Sequence, residues 1–252
     1  MRVLVNGALG QMGTEVVKAV LNEKDLELVA VVDVADGSVG GMKVEQDLVT
    51  VIKKTKPDVM VDFTKPTVVM ENLRKILALG VHCVVGTTGF SQQDLDEVDK
   101  LAKENKTAVL IAPNFALGAV VMMKLAAEAA KYFPNVEIIE KHHDKKLDAP
   151  SGTAIMTAKK IAEVRKKMQQ GHPEEKETMA GCRGADYEGM RIHSVRLPGY
   201  VASQEVIFGG QGETLRISTE PINRECYMPG VIMACRKIKD YQGLIYGLEN
   251  IL

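Results

Sequence analysis

Tryptophan is absent, and aromatic residues make up only 4% of the 252 residues, so the core has to be built from aliphatic side chains. Cysteine is scarce: Cys83, Cys182, Cys226 and Cys235 form no CxxC pair. Four scattered thiols exclude a disulfide scaffold and offer no metal-ligand spacing. No metal site is expected, and the thiols read as reduced, as in a cytoplasmic protein. No apolar run reaches 18 residues, which excludes a membrane-spanning helix. The net charge is −1, so there is no broad basic surface for nucleic acid or an acidic membrane, and an anionic ligand needs a local site. The opening stretch, MRVLVNGALGQMG, lacks the long apolar segment of a signal peptide. What is present, 46% hydrophobic and 26% charged residues, suits a globular chain of one large domain or two modest ones.

Up to Pro113, short apolar runs at 3–5, 28–32, 59–63, 81–85 and 108–112 alternate with helical patterns. Val16, Val17, Val20 and Leu21 fall on one helical face. Ser91 precedes a helix with Leu95, Val98, Leu101 and Ala102 as its apolar positions. Such alternation predicts βαβ units and a parallel sheet covered on both faces. Beyond Pro113 the pattern changes. It predicts a long helix over 116–132, a strand over 136–140, a polar turn over 141–150 and a helix opening at Ser151. Residues 169–186 read as a mobile polar loop. Residues 190–218 read as antiparallel strands, with a turn at Gly209, Gly210 and Gly212, and 228–237 as a helix. The fold class is α/β: a Rossmann-like dinucleotide-binding domain over 1–113, a mixed α+β domain over 114–224, and a C-terminal helical segment over 225–252.

Gly7, Gly10 and Gly13 follow the first strand and open the first helix. Glycines there permit a tight turn, close approach of a pyrophosphate and close helix–strand packing. The helix start then offers N–H groups and a positive dipole end to phosphates. Asp33 lies 20 residues past Gly13, at the end of the second strand, where a carboxylate accepts hydrogen bonds from a ribose. The alternative is a purely structural turn. Two further loops, Gly86-Thr87-Thr88-Gly89 and Ala112-Pro113-Asn114-Phe115, follow strands of the same sheet, where ligands of open parallel sheets bind.

The segment 140–154 carries two adjacent histidines, His142 and His143, among Lys141, Lys145 and Lys146, followed by Pro150, Ser151, Gly152 and Thr153. Ser151 is a candidate helix N-cap. The backbone of Gly152 and Thr153, with the Thr153 hydroxyl, suits a carboxylate. Histidine and lysine beside it can bind a second anion or donate protons. The alternatives are a solvated basic turn before a capped helix, or a metal site; the adjacent histidines lack a carboxylate at helical spacing for the latter.

The segment 142–154, HHDKKLDAPSGTA, resembles the HHxxKxDAPSGTA signature of the dihydrodipicolinate reductases, also called 4-hydroxy-tetrahydrodipicolinate reductases. The likeness extends to GxxGxxG at 7–13, GTTG at 86–89, PNF at 113–115, HSVRLPG at 193–199, QEVIFGG at 204–210 and MPG at 228–230. Two stretches depart from it: ALGAV at 116–120, where the family often continues with Ser and a polar stretch, and ADYEG at 185–189. The resemblance implies that the second domain builds a homotetramer and that the C-terminal helix returns to the first domain. It implies His142 and Lys146 as the proton-donating pair. It implies that His143, Gly152 and Thr153, with the N-cap Ser151, hold the substrate carboxylates. Gly7, Ala8, Leu9, Gly10, Gln11, Met12, Asp33, Gly86, Thr87, Thr88, Ala112, Pro113, Asn114 and Phe115 are the implied cofactor contacts.

The expected reaction is NAD(P)H-dependent reduction of a small cyclic unsaturated dicarboxylate on the route to diaminopimelate and lysine. NADH is the expected preference: Asp33 repels a 2′-phosphate, Val34 stands where relatives often carry a basic residue, and Lys43 is the nearest cation following in sequence. NADPH use remains open through Lys43. The rivals are another Rossmann dehydrogenase of amino-acid metabolism and a non-catalytic dinucleotide-binding regulator. The former should lack the His-His-Lys turn before an SGT helix start, and the latter has no use for His142 and Lys146.

Overall fold

A computed structural model describes residues Met1–Leu252. The chain forms two compact units, Met1–Ala116 with Arg224–Leu252, and Leu117–Asn223. The first unit begins with β1 (Arg2–Asn6), α1 (Gln11–Asn22), β2 (Glu27–Val32) and a hairpin of β3 (Ser38–Val39) and β4 (Met42–Lys43). It continues with α2 (Leu48–Thr55), β5 (Val59–Asp62), α3 (Pro66–Leu77), β6 (His82–Val85), α4 (Gln92–Glu104) and β7 (Ala108–Ile111). The apolar runs become central strands: β5 and β7 are buried at every position, as sheets covered on both faces require. Ser91 caps α4 through a full capping box with Asp94. On α1, Val16, Val17 and Val20 are buried, but Leu21 is 51% exposed. It lies at the rim of the apolar arc rather than within it.

The second unit contains α5 (Leu117–Ala130), β8 (Asn135–His142), α6 (Gly152–Val164), β9 (Ala185–Tyr187), β10 (Met190–Arg196), β11 (Ala202–Gly210) and β12 (Glu213–Thr219). Its sheet has the order β12-β11-β8-β10-β9. β11 is antiparallel to β8 and β12, but β10 runs parallel to β8. The expectation of purely antiparallel strands is therefore corrected. The connection from β8 to β10 passes through α6, and a long crossover permits parallel pairing. β9, antiparallel to β10, begins inside the stretch read as a loop. β8 outruns its predicted end and carries Lys141 and His142 as strand residues. Gln204, Val206 and Phe208 are buried on one face of β11, and Gln204 Nε2 donates to Thr157 Oγ1 on α6 at 2.8 Å.

After Asn223 the chain re-enters the first unit through a 3-10 turn (Arg224–Tyr227), α7 (Met228–Lys237) and β13 (Gly243–Tyr246). β13 pairs in parallel with β7 and completes the sheet β13-β7-β6-β5-β1-β2. Its run, Gly-Leu-Ile-Tyr, is only partly buried and holds two aliphatic residues, so it does not stand out as the fully buried runs of β5 and β7 do, and this edge strand was not foreseen. No helix is long and apolar enough to cross a membrane.

Candidate active site

In the first unit, β1 lies between β2 and β5, so connections leave its neighbourhood in both directions. Ligands of open α/β sheets bind at the carboxyl ends of strands at such a point. Gly7 there has φ +77°, and a Cβ on it would lie 2.7 Å from the Phe63 carbonyl oxygen. A Cβ on Gly13 would fall 2.0 Å from the Gly7 carbonyl oxygen, so only glycine lets α1 pack this close to the loop. Gly10 precedes α1 without a side-chain cap, so the turn of Gln11 and Met12 presents backbone N–H groups to an anion. Ala8 is buried. Leu9 N donates to Asp33 Oδ2 at 2.9 Å and Ala35 N to Oδ1 at 3.3 Å. The acid is thus locked onto the glycine loop and keeps lone pairs for hydroxyl donors.

The other two loops converge on a residue that sequence reasoning did not single out. Gly86 lies against the Phe63 ring, where a Cβ would come within 2.0 Å of a ring atom. The Phe115 ring packs on the same ring, with centroids 5.9 Å apart. Ala112 N donates to Val85 O at 3.1 Å, and Asn114 Oδ1 accepts from Ala116 N at 2.8 Å. Pro113 and Thr88 are exposed. Thr87 is buried, its hydroxyl donating to Thr64 O at 3.2 Å and Asp62 Oδ1 at 3.4 Å.

Asp62 was also missed. It is fully buried and accepts from Asn6 Nδ2 at 2.8 Å, Thr64 N at 2.9 Å, Thr64 Oγ1 at 2.6 Å and Asn72 Nδ2 at 3.4 Å. Burial pushes its carboxyl up, against the pull of the hydrogen bonds from Thr64, Asn6 and Asn72. The signal that selects Asp33, an acid ending a buried apolar strand, also selects Asp62. The first unit therefore gathers the glycine loop and the loops at 86–88 and 112–115 around Asp62 and Phe63, with Asp33 tied to the glycine loop. A bare glycine loop, an uncapped helix start and a ribose-height acid fit a dinucleotide.

In the second unit, strand alternation places Glu140 and His142 on one face at the end of β8. Glu140 is fully buried. Its Oε2 faces His142 Nδ1 at 2.5 Å and Arg196 Nη1 at 2.9 Å. Its Oε1 accepts from Arg196 Nη2 at 2.7 Å and Ser151 N at 3.2 Å. Burial pulls this carboxyl up, but hydrogen bonds from His142, Arg196 and Ser194 outweigh it and hold it at about 2. Arg196 sits opposite His142 in the β8–β10 register and reaches on to Asp148 O at 2.8 Å.

His143 is half-buried just past the strand, and its carbonyl accepts from Lys146 N at 3.2 Å. Lys146 Nζ bonds Asp148 Oδ1 at 2.7 Å. Ser151 is the N-cap of α6, its hydroxyl accepting from Ala154 N at 3.2 Å. Gly152 is exposed with open space where a Cβ would stand. Thr153 follows in the first turn, its carbonyl accepting from Thr157 Oγ1 at 2.8 Å. His142 and the α6 start are thus joined through one buried carboxylate. A proton carrier at the end of β8 and an ammonium on the following turn stand beside a capped helix start, a set able to hold carboxylates and deliver a proton.

The chain is similar to known proteins over its whole length. The family model described as dihydrodipicolinate reductase, N-terminus, matches residues 1–115, and the one described as its C-terminus matches 118–252. A 4-hydroxy-tetrahydrodipicolinate reductase of Listeria monocytogenes serotype 4b (strain F2365) is 53% identical over 262 aligned residues, covering 100% of both chains. One from Syntrophomonas wolfei is 51% identical over 261, covering 100% of this chain and 98% of its own. The dipicolinate-bound dihydrodipicolinate reductase of Paenisporosarcina sp. TG-14 superimposes with a TM-score of 0.93 at 47% identity, over 100% of this chain and 99% of that one. With both halves matched and relatives at this identity spanning its whole length, the chain belongs to the dihydrodipicolinate reductase family.

Proposed function

We propose that the chain reduces 4-hydroxy-tetrahydrodipicolinate to tetrahydrodipicolinate with a nicotinamide dinucleotide, in diaminopimelate and lysine biosynthesis. The observation that carries this reading is the folding of the HHxxKxDAPSGT signature into one cluster, in a chain whose relatives share that activity along their full length. When bound, the dinucleotide supplies the hydride. Gly7, Gly10, Gln11 and Met12 hold its pyrophosphate, Asp33 its ribose, and the loops at 86–88 and 112–115 its remaining length. Ser151, Gly152, Thr153 and His143 bind the ring carboxylates. His142 and Lys146 deliver the proton that follows the hydride, a task typically worth about 10²–10⁴-fold. The substrate carboxylates displace Asp148 from Lys146, which turns an internal ion pair into a substrate contact.

NADH is the preferred donor in this reading. Val34 is 92% exposed beside Asp33 and brings no cation to a 2′-phosphate, while Lys43 is exposed on the β3–β4 hairpin. A homotetramer is supported by the second sheet. Its helix-covered face is buried, while Ile139, Val195 and Ile207 stay only half-buried on the other face. A reaction between a diffusible cofactor and a small acid suits a cytoplasmic enzyme. The test is the loss of NADH absorbance on mixing the protein with freshly generated cyclic substrate. No turnover with NADH or NADPH overturns the reading.

A further inference from the structure

The Glu140–Arg196 pair is the one buried ionic cluster of the second unit to which the reaction gives no task. Its cost is high, since two charges leave water, and its placement is specific. The charged groups around the carboxylate are His142 on β8, Arg196 on β10, and the Lys146–Asp148 pair of the turn, which Arg196 reaches through Asp148 O. Glu140 accepts on both oxygens: from the ring of His142, from the backbone that starts α6, and twice from Arg196. Held at about 2, the carboxyl is ionised near neutral pH, and an ionised carboxylate only accepts hydrogen bonds. The proton between the two groups therefore sits on His142 Nδ1.

We propose that Glu140 is the positioning residue of the reductase. It holds His142 Nδ1–H inward, so that the doubly protonated ring gives its Nε2 proton to the substrate and is left as the Nδ1–H tautomer, and it ties the carboxylate-binding helix start to the same point. Arg196 neutralises the carboxylate so that it can stay buried. The proposal rests on His142 being a proton donor. It assigns no chemistry to Glu140 itself, which reaches the substrate only through His142 and Ser151.

Removing Glu140 alone leaves the half-buried Arg196 guanidinium without its acceptor, so a loss of kcat would mix lost stability with lost positioning. The informative variant is Glu140→Leu with Arg196→Met, because apolar replacement of a whole buried pair is often neutral for stability. With the variant folded, kcat is expected to drop at least about tenfold with the NADH dissociation constant unchanged. Nitrogen-15 NMR of the His142 ring in the neutral form is expected to show Nδ1–H in the parent and Nε2–H in the variant. Glu140→Gln with Arg196→Gln keeps an acceptor for Nδ1–H and is expected to retain the parent tautomer and regain part of the lost kcat. A folded Leu/Met variant with kcat within about twofold of the parent, or a neutral parent ring protonated on Nε2 instead of Nδ1, overturns the proposal. His142→Ala, measured alongside, separates the two levels. If it keeps full kcat, the proton-donor assignment fails; if it loses kcat while the Leu/Met variant keeps it, only the positioning role fails.

Discussion

Each unit is organised by a buried acid at the carboxyl end of a strand, and the two acids live in opposite electrostatic worlds. Asp62 closes β5 among Asn6, Asn72, Thr64 and Thr87, all neutral, and burial drives its carboxyl up. Glu140, two residues from the end of β8, faces a guanidinium and an imidazole and is held at about 2. The first arrangement braces loops through neutral partners. The second keeps charge in place beside an imidazole and a helix start. Under the proposed function, a large, already charged cofactor is held by N–H groups and close approach, whereas a small reactive acid needs side chains that change or oppose charge.

The sharpest way to break this contrast is at the proposed proton donors. His142→Ala and Lys146→Ala should each lower kcat by about two orders of magnitude or more, with NADH affinity unchanged; near-full kcat in both would remove the second unit from the chemistry. A smaller effect is expected at the helix start. Thr153→Val keeps shape but loses a hydroxyl, and should raise KM for the dicarboxylate about tenfold, as loss of a charge-assisted bond worth about 1.5–3 kcal/mol implies. An unchanged KM would move the substrate off α6.

The first unit is probed more gently. The ratio of kcat/KM for NADH over NADPH should exceed one at moderate salt and narrow as salt screens Asp33 from the 2′-phosphate. A clear NADPH preference would mean that another cation answers that phosphate. The least conspicuous difference is in the pH dependence of stability. Asp62 has its folded pKa raised, so it costs stability as pH rises above the unfolded value of about 3.9. Glu140 is depressed to about 2, so its contribution is present above the unfolded value and lost as pH falls toward about 2. The Tm of Asp62→Asn relative to the parent should therefore climb between pH 4 and pH 7 in thermal scans. A constant difference would mean that Asp62 titrates alike folded and unfolded.

The sheet and helices of the first unit were legible because each buried run is short, apolar and bounded by a turn, as at 59–63, and because Ser91 and Asp94 write a capping box into the chain. The signature at 142–154 marked the family. Asp62 and Glu140 were not read, although both obey rules visible in the sequence. Asp62 ends an apolar strand as Asp33 does, and Glu140 precedes His142 by two, the spacing that puts strand residues on one face. Arg196 is a different case. It meets Glu140 only through the β8–β10 register, and pairing between strands about 50 residues apart is not written in either strand's own pattern. The parallel sense of that pair was lost for the same reason, and β13 because its Gly-Leu-Ile-Tyr run is only partly buried and too little apolar to stand out.

The most direct test of the division between the units is a pair of calorimetric titrations, with NADH and with dipicolinate as a flat cyclic dicarboxylate, on Asp33→Ala and Lys146→Ala. Asp33→Ala should lose NADH affinity by about tenfold or more and bind dipicolinate as the parent does. Lys146→Ala should lose dipicolinate and keep NADH. If each variant lost both ligands alike, the assignment of cofactor to the first unit and substrate to the second would be contradicted.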